Sequence, residues 1–245
     1  MHTHVVIEAR YSIGGPYAVQ GASRLGSAVD QGVERGPDGW PLVPASSWRG
    51  RVRAHLESLL RGLGVPVCHP PDPARTCPHD PEVLAQLQLH GRRFCPVCEL
   101  FGSAWRPSRI AFTDLTHPGR EGEAPVTERV NVAINRVLGT VEEQRLFSYE
   151  TAGFGSDAFT RVLTGQVWGV MDRSQVGLLV LGLRLPTHLG GKKARGLGLI
   201  LGADVQVNLR SGSAGPAEPV GTAELNSWVD DALAEVRTLA TAPAV

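Results

Sequence analysis

The four cysteines of the chain lie close together in the sequence: Cys68, Cys77, Cys95 and Cys98. The last two have the C-x2-C spacing that allows two thiolates of one turn to bind one tetrahedral ion. The first two are spaced more widely, so His69 or His79 could replace the cysteine near it. Clustering in a chain expected to be reduced favours metal over disulfides, with four unligated cysteines as the alternative. We predict a structural zinc ion, whose four protein ligands leave no position for a catalytic water.

Phosphate-binding chemistry is indicated where a helix is predicted to begin, in Pro-Ala-Ser-Ser-Trp-Arg-Gly-Arg-Val-Arg at 44–53. A helix N-terminus presents free N–H groups and a partial positive charge, and Ser46 or Ser47 can serve as its N-cap. Three arginines add positive charge: Arg49, Arg51 and Arg53. Gly50 stands where alanine would favour the helix by about 1 kcal/mol, which suggests a close approach to the backbone. The alternative is an ordinary capped helix with a solvated basic side.

A second basic segment, Leu-Gly-Gly-Lys-Lys-Ala-Arg-Gly-Leu-Gly at 189–198, surrounds three positive charges with four glycines. Backbone without side chains can approach a polyanion while Lys193 and Arg195 contact phosphates. The segment is not a Walker loop, because Lys192 is followed by Lys193 instead of Ser or Thr and because a strand follows. A flexible basic turn is the alternative.

Acid and base candidates are few. Asp30 lies in a glycine-containing loop without a neighbouring carboxylate in sequence, so by itself it gives weak evidence of catalysis. His55 falls on the predicted first helix and His188 lies beside the glycine-rich segment. Either could act as a general base, although single histidines are more often structural.

The charge balance argues against a protein that simply coats nucleic acid, since 24 Lys and Arg residues match 24 Asp and Glu residues. Acidic residues are concentrated from Glu218 onwards, however, where Arg237 is the single base. No run of the sequence approaches the roughly 18 apolar residues that a membrane span requires, and the first residues do not resemble a signal peptide. We therefore expect a cytoplasmic protein.

Hydrophobic periodicity predicts the elements that must position these groups. In order, we predict a strand at 4–11, a helix from 46 or 47 to about 62, strands at 109–115 and 160–171, a helix at 174–185, a strand at 199–209 and a helix at 223–240. By pattern alone 174–185 could be a helix or a buried strand, and its position between two strands favours the helix. Two extended arms at 128–136 and 144–151 predict a projecting hairpin, and 212–221 is predicted to be a linker. The fold class is therefore α+β, with a ferredoxin-like (RRM-related) βαββαβ core and a zinc-binding insertion at about 64–107.

Four motifs in this order resemble the RAMP superfamily, and most closely the backbone subunit of type III CRISPR effector complexes. They are the segment 41–53, Cys-Pro-Val-Cys-Glu-Leu-Phe-Gly at 95–102 before Arg-Ile-Ala-Phe-Thr-Asp at 109–114, Arg-Val-Asn-Val-Ala-Ile-Asn-Arg at 129–136, and 189–198. The resemblance covers about 3–210. It implies a domain at 1–210 that polymerises along a guide RNA (crRNA), with a hairpin thumb at about 126–153, and leaves 211–245 as a linker and C-terminal helix.

The resemblance also implies roles for individual residues. Guide and target RNA would be contacted by Ser46, Ser47, Arg49, Arg53, Arg129, Asn131, Arg136, Lys193 and Arg195. Active members cleave target RNA with an aspartate at the place of Asp30, by attack of the RNA 2′-hydroxyl assisted by Mg²⁺ or another divalent cation. The implied partners are crRNA, target RNA, further copies of the chain or related RAMP subunits, and other CRISPR effector subunits.

Three other interpretations stay open at this point. The chain could be a structural subunit of the same complex that does not cleave. It could be a guide-processing endoribonuclease that uses His55 or His188 without a metal. It could also be a zinc-stabilised protein-interaction module that binds no RNA.

Overall fold

The computed structural model describes residues 3–21, 29–119, 124–153, 161–210 and 215–240. In chain order its elements are β1 (Thr3–Ile13), β2 (Leu42–Val43), α1 (Ala45–Gly62), α2 (Pro81–Gln88), α3 (Pro96–Phe101), β3 (Ile110–Phe112), β4 (Leu115–Thr116), β5 (Val126–Ile134), β6 (Val141–Ala152), β7 (Val162–Met171), α4 (Arg173–Arg184), β8 (Ile200–Arg210), β9 (Ala217–Pro219) and α5 (Thr222–Arg237). The predicted α+β class is confirmed.

Strand β1 lies at the centre of the main sheet because it pairs along its length with two long antiparallel neighbours. One neighbour is β7 and the other is β8. The order across the sheet is β2-β4-β7-β1-β8-β9, and β3 also pairs with β7. The buried side chains of β1 alternate with accessible ones: Val5, Ile7, Ala9, Tyr11 and Ile13. This period of two buries one face of the strand and leaves the other open.

Helix α1 packs its apolar side into the core through Trp48, Val52, Leu56 and Leu60, which recur every four residues. The ring of Trp48 meets that of Tyr11 edge to face, with 6.2 Å between centroids. Helices α4 and α5 bury side chains in the same core as α1 and β1. The Tyr11 hydroxyl of β1 donates to the Leu183 carbonyl of α4 over 2.8 Å. No helix in the described part of the chain is both long enough and apolar enough to cross a membrane.

The structure corrects several details of the predicted elements. The N-cap of α1 is Pro44, and neither serine caps the helix. The Asp114 carboxylate instead accepts from the Ala45 N–H over 2.7 Å. The predicted insertion contains two short helices, α2 and α3, that the sequence pattern did not reveal. The predicted linker contains β9, which pairs with the end of β8.

The predicted hairpin is present and forms its own two-stranded sheet. Strands β5 and β6 pair antiparallel, and the turn between them contains Gly139 with a positive φ of 68°. Many large apolar side chains of the hairpin are exposed, among them Val130, Ile134, Val137 and Leu146. Residue 160, where the third core strand was predicted to begin, lies outside the described residues.

Substitution of the helical glycines is expected to separate two kinds of position. Gly50 is exposed, and a Cβ added there would meet no atom within 4 Å. Gly50→Ala is therefore expected to raise the free energy of unfolding by about 1 kcal/mol, measured by chemical denaturation.

A Cβ at Gly177 of α4 would lie 2.1 Å from the Trp228 carbonyl oxygen of α5. Gly177→Ala should therefore destabilise the protein by about 1–3 kcal/mol, and stabilisation by that change would contradict the close packing of α4 on α5.

Candidate metal centre and nucleic-acid interface

The four cysteine sulfurs converge on one buried point. All four lie within 4.8 Å of one another, and this is the only cluster of three or more metal-ligating side chains among the described residues. The Cys68 sulfur is 3.4 Å from that of Cys98 and 3.9 Å from that of Cys95. A tetrahedral zinc ion with Zn–S bonds of about 2.3 Å requires sulfurs about 3.8 Å apart, so the residues fit the ion. Hydrogen bonds from the neighbouring thiols, that of Cys77 first, lower the pKa of Cys68, whereas such bonds, that with Cys68 first, raise the pKa of Cys98. The metal site is therefore assigned from the positions of the four sulfurs.

The two histidines proposed as alternative ligands have other neighbours. The His69 ring nitrogen Nδ1 lies 3.5 Å from the Asp80 carboxylate. The His79 ring packs edge to face on Trp105, with 4.5 Å between centroids. Neither belongs to the cluster, so the structure supports a four-cysteine site.

Helix α1 contacts the insertion that carries the four cysteines, and it does so through two arginines that we predicted to bind RNA. Arg49 donates to the Phe101 carbonyl at the end of α3, and its guanidinium lies 5.6 Å from the centre of the Phe101 ring. Arg53 forms an ion pair of 2.8 Å with Glu57 and donates to the Gly102 carbonyl over 3.1 Å. A guanidinium nitrogen of Arg53 also lies 3.9 Å from the Cys98 sulfur. Because a Zn²⁺ ion with four thiolates would carry a net negative charge, Arg53 is well placed to balance it.

Arg51 lies on the other flank of α1 and contacts the glycine-rich segment. Its guanidinium donates to the Gly190 carbonyl over 3.1 Å. Together with Ser47 and Gly191 it lines a cleft of about 410 Å³ between the start of α1 and the glycine-rich segment. Ser46 is exposed but is not one of the residues that line this cleft. Burial first, then the charges of Arg51 and Lys193, lower the pKa of His55 on the same helix.

The glycine-rich segment is fixed by main-chain hydrogen bonds to the chain that follows β1. Gly191 donates to the Ala18 carbonyl and Gly198 to the Pro16 carbonyl, both over 2.8 Å. Gly190 has a φ of 77°, and a Cβ there would lie 2.5 Å from the Ala18 carbonyl oxygen. This close approach explains the glycines and leaves a short 3-10 turn, Lys193–Arg195, at the surface.

Two cations of this segment lie over aromatic rings at the base of the hairpin. The Lys192 Nζ is 4.3 Å from the centre of the Tyr149 ring. The Arg195 guanidinium is 5.4 Å from the centre of Phe147 and 5.9 Å from that of Tyr149. We call these four residues the cation–aromatic cluster. Sequence reasoning included Arg195 as a phosphate contact and Lys192 as a charge of the same basic segment, but it missed the two rings. The aromatic pair at alternate positions of one strand was a usable signal.

The cross-strand register adds two predicted RNA-binding residues to this cluster. Arg129 of β5 is opposite Tyr149, and Asn131 is opposite Phe147. Directly opposite residues share a face of an antiparallel ribbon, so both lie on the face that carries the two rings. Arg136 is exposed in the turn at the far end of the hairpin, away from this group.

Asp30 is hydrogen-bonded to a backbone N–H of β6. Its carboxylate accepts from the Ser148 N–H over 2.7 Å, and Gln31 forms a parallel bridge with Tyr149. The Gln31 side-chain oxygen accepts from Lys192 over 3.1 Å. Asp30 therefore lies at the border of the cation–aromatic cluster, exposed to solvent. It belongs to no group of three or more metal-ligating side chains in the described ranges, so the residues present do not form a site for the expected catalytic cation.

Comparison with protein families places the chain in a known group, since the model of the RAMP superfamily matches residues 10–200. The chain belongs to the RAMP superfamily. Membership confirms the family-level resemblance of the four motifs and fits a CRISPR-associated RNA-binding protein. No curated protein matches the chain closely enough to narrow this assignment.

Metal analysis of single variants is expected to identify the ligands of the buried site. The purified chain should contain one zinc ion by elemental analysis, and Cys98→Ser should lower this content and expose the insertion to protease, because metal binding contributes directly to folding of such insertions. His69→Ala and His79→Ala are the controls and should retain the ion. Loss of zinc from either histidine variant would contradict the four-cysteine assignment.

Proposed function

We propose that the chain is a guide-RNA-binding backbone subunit of a type III CRISPR effector complex. The observation that carries this proposal is the cation–aromatic cluster, in which Lys192 and Arg195 lie over the rings of Phe147 and Tyr149 at the base of the hairpin. Family membership supports a CRISPR role. The two cations support contact with an RNA backbone, whereas Tyr149 is only 2% exposed and lies beneath Lys192.

The order of the central strands supports the ferredoxin-like core that we propose for this subunit. Across the sheet the order is β3-β7-β1-β8, all antiparallel, while along the chain α1 follows β1 and α4 follows β7. This is the βαββαβ sequence of elements with the hairpin inserted before the third core strand. In this proposal the domain spans 1–210 and the thumb spans about 126–153.

In α1, the arginine available to bind the guide backbone is not one of the two that we predicted. Arg51 lines the cleft with Ser47, whereas Arg49 and Arg53 are directed to the insertion. We therefore propose that the guide phosphates pass Ser46, Ser47 and Arg51 and continue to Lys193 and Arg195. Base pairing by the guide would supply sequence specificity, so the protein needs to contact only backbone and duplex shape.

The thumb would contact RNA through the face that carries the two rings. Arg129 and Asn131 share that face, and the exposed Arg136 lies at the tip, where it can reach a neighbouring part of a long RNA. A subunit that repeats along the guide would place each thumb near the next copy of the chain. Copies of the chain, related RAMP subunits and other effector subunits are therefore the proposed protein partners.

RNA-binding measurements are expected to identify the cation–aromatic cluster as a phosphate-binding surface. The double variant Lys192→Ala/Arg195→Ala should bind single-stranded guide RNA on the order of tenfold more weakly in filter binding. The slope of log K against log salt should fall by about 1.4, since each lost phosphate contact on a single strand accounts for about 0.7. The matched control is Arg237→Ala on α5, which should bind normally. Equal affinity and equal slope for the double variant would contradict the proposal.

Target cleavage is the second part of the proposal, and the position of Asp30 beside the hairpin base favours it. In the proposed reaction the target 2′-hydroxyl oxygen bonds to the adjacent phosphorus while the bond from phosphorus to the 5′ oxygen breaks. The products are a 2′,3′-cyclic phosphate and a 5′-hydroxyl. The Asp30 carboxylate would take the proton of the 2′-hydroxyl, and the leaving 5′ oxygen would take a proton from water. No step is assigned to a metal.

Replacement of Asp30 is expected to separate binding from cleavage. Asp30→Asn in the assembled complex should reduce target cleavage by about 100-fold or more, because general acid–base catalysis contributes about that much, while guide affinity stays unchanged. Asp204→Asn on β8 is the control and should cleave normally. If native and Asp30→Asn complexes cleave alike, Asp30 has no catalytic role, and a native complex that binds but does not cleave indicates a structural subunit.

A further inference from the structure

The open face of the central sheet carries an exposed tryptophan. Trp168 of β7 is directly opposite Val6 of β1, and Val6 is opposite Asn208 of β8. Side chains alternate between the two faces of a strand, so these three residues lie away from the helices. Trp168 is 44% exposed in the middle of the sheet. Exposure of a large apolar side chain to water is unfavourable, and such surfaces often mark binding sites.

A groove of about 530 Å³ runs past Trp168, and its described lining is basic. It is lined in part by His4, Ser108, Arg109, Gln166, Trp168 and Arg210. The described lining includes no Asp or Glu residue. The groove therefore combines an exposed aromatic ring with two guanidinium groups and an imidazole.

The two arginines of the groove form no ion pair or side-chain hydrogen bond within the described ranges. The charge of Arg109 does act on the Glu99 carboxyl group, whose pKa it lowers against the larger effect of burial. The Nε of Arg210 is buried and has no hydrogen-bond partner among the described residues. A buried donor without an acceptor costs free energy, and an incoming anionic oxygen would remove that cost.

This groove is separate from the surface proposed for the guide. It lies at the end of the sheet where His4 pairs with Arg210, whereas the glycine-rich segment lies beyond the opposite end, where Ile13 pairs with Ile200. At about 3.3 Å per residue, the nine residue steps from His4 to Ile13 span about 30 Å. One nucleotide cannot reach both places, so a ligand in the groove would be an additional contact.

We propose that the groove binds one nucleotide of a single-stranded RNA segment that lies outside the guide path. The base would stack on the Trp168 indole, and the phosphate would accept hydrogen bonds from Arg109 and Arg210. Sheet surfaces with exposed aromatic side chains bind unpaired bases in this way, and guanidinium groups bind phosphate oxygens through paired N–H donors. The proposal rests on the RNA-binding function proposed above and extends it to a second contact surface.

Cross-linking and affinity measurements with the full-length protein test this assignment. The probe is a short oligouridylate containing 4-thiouridine, and the cross-linked peptide is identified by mass spectrometry. The expected adduct lies on the peptide that contains Trp168. Trp168→Ala should weaken oligouridylate binding on the order of tenfold, and Trp168→Phe should restore much of the affinity because a ring remains for stacking. Arg109→Ala/Arg210→Ala should lower the salt slope by about 0.7, because the two arginines share one phosphate.

Controls separate failure of this inference from failure of the proposed function. Trp105→Ala removes another exposed tryptophan, 56% accessible on the insertion, and should bind normally. If the Trp168 and arginine variants bind like the native protein while Lys192→Ala/Arg195→Ala does not, the groove assignment is wrong and the guide-binding function stands. If the native protein binds no RNA at all, both are wrong. Circular dichroism of each variant checks that the fold is retained, and Arg109→Ala/Arg210→Ala provides the measurement if Trp168→Ala does not fold.

Discussion

The burial of one side of helix α1 is the interaction on which both candidate sites depend. Trp48, Val52, Leu56 and Leu60 are in the core, which fixes the rotation of the helix about its axis. Residues four apart lie on the same side of a helix, so Arg49 and Arg53 share one flank. Arg51 necessarily lies on another side and meets the glycine-rich segment. The burial of one side of α1 therefore places Arg49 and Arg53 against the insertion that carries the cysteines, and Arg51 against the candidate RNA surface.

The sequence pattern predicted what depends on neighbours within one element. Strand β1, the hairpin and helices α1 and α5 follow from alternation, from the 3.6-residue period and from glycine at turns. The pattern of α4 also fits a buried strand, and only its position between two strands indicates a helix. The cysteine cluster follows from residue type and spacing, and the structure shows all four sulfurs together. The N-terminus of α1 was predicted less well because its acceptor is Asp114, which is remote in sequence and has no local signal.

Contacts between distant segments account for most of what could not be predicted. Lys192 over Tyr149, and Asp30 beside Ser148, depend on the arrangement of the hairpin against two loops, which no local pattern contains. The arginines show the same limit in another form. The position of Arg49 and Arg53 at the predicted helix start suggested phosphate binding, yet both donate to carbonyl oxygens of the chain itself. A guanidinium suits both tasks, so residue type alone did not distinguish them.

The main-chain attachment of the glycine-rich segment has a consequence for variation among related chains. Its position is set by Gly191 and Gly198, which bond to carbonyls of residues 16 and 18, while its cations contact the rings through long, adjustable side chains. Lysine and arginine can therefore exchange at 192 and 195 with little effect on the shape of the loop. A side chain at 190 would instead move the whole segment away from the end of β1. Over evolutionary time, the glycines should change more slowly than the charges that they position.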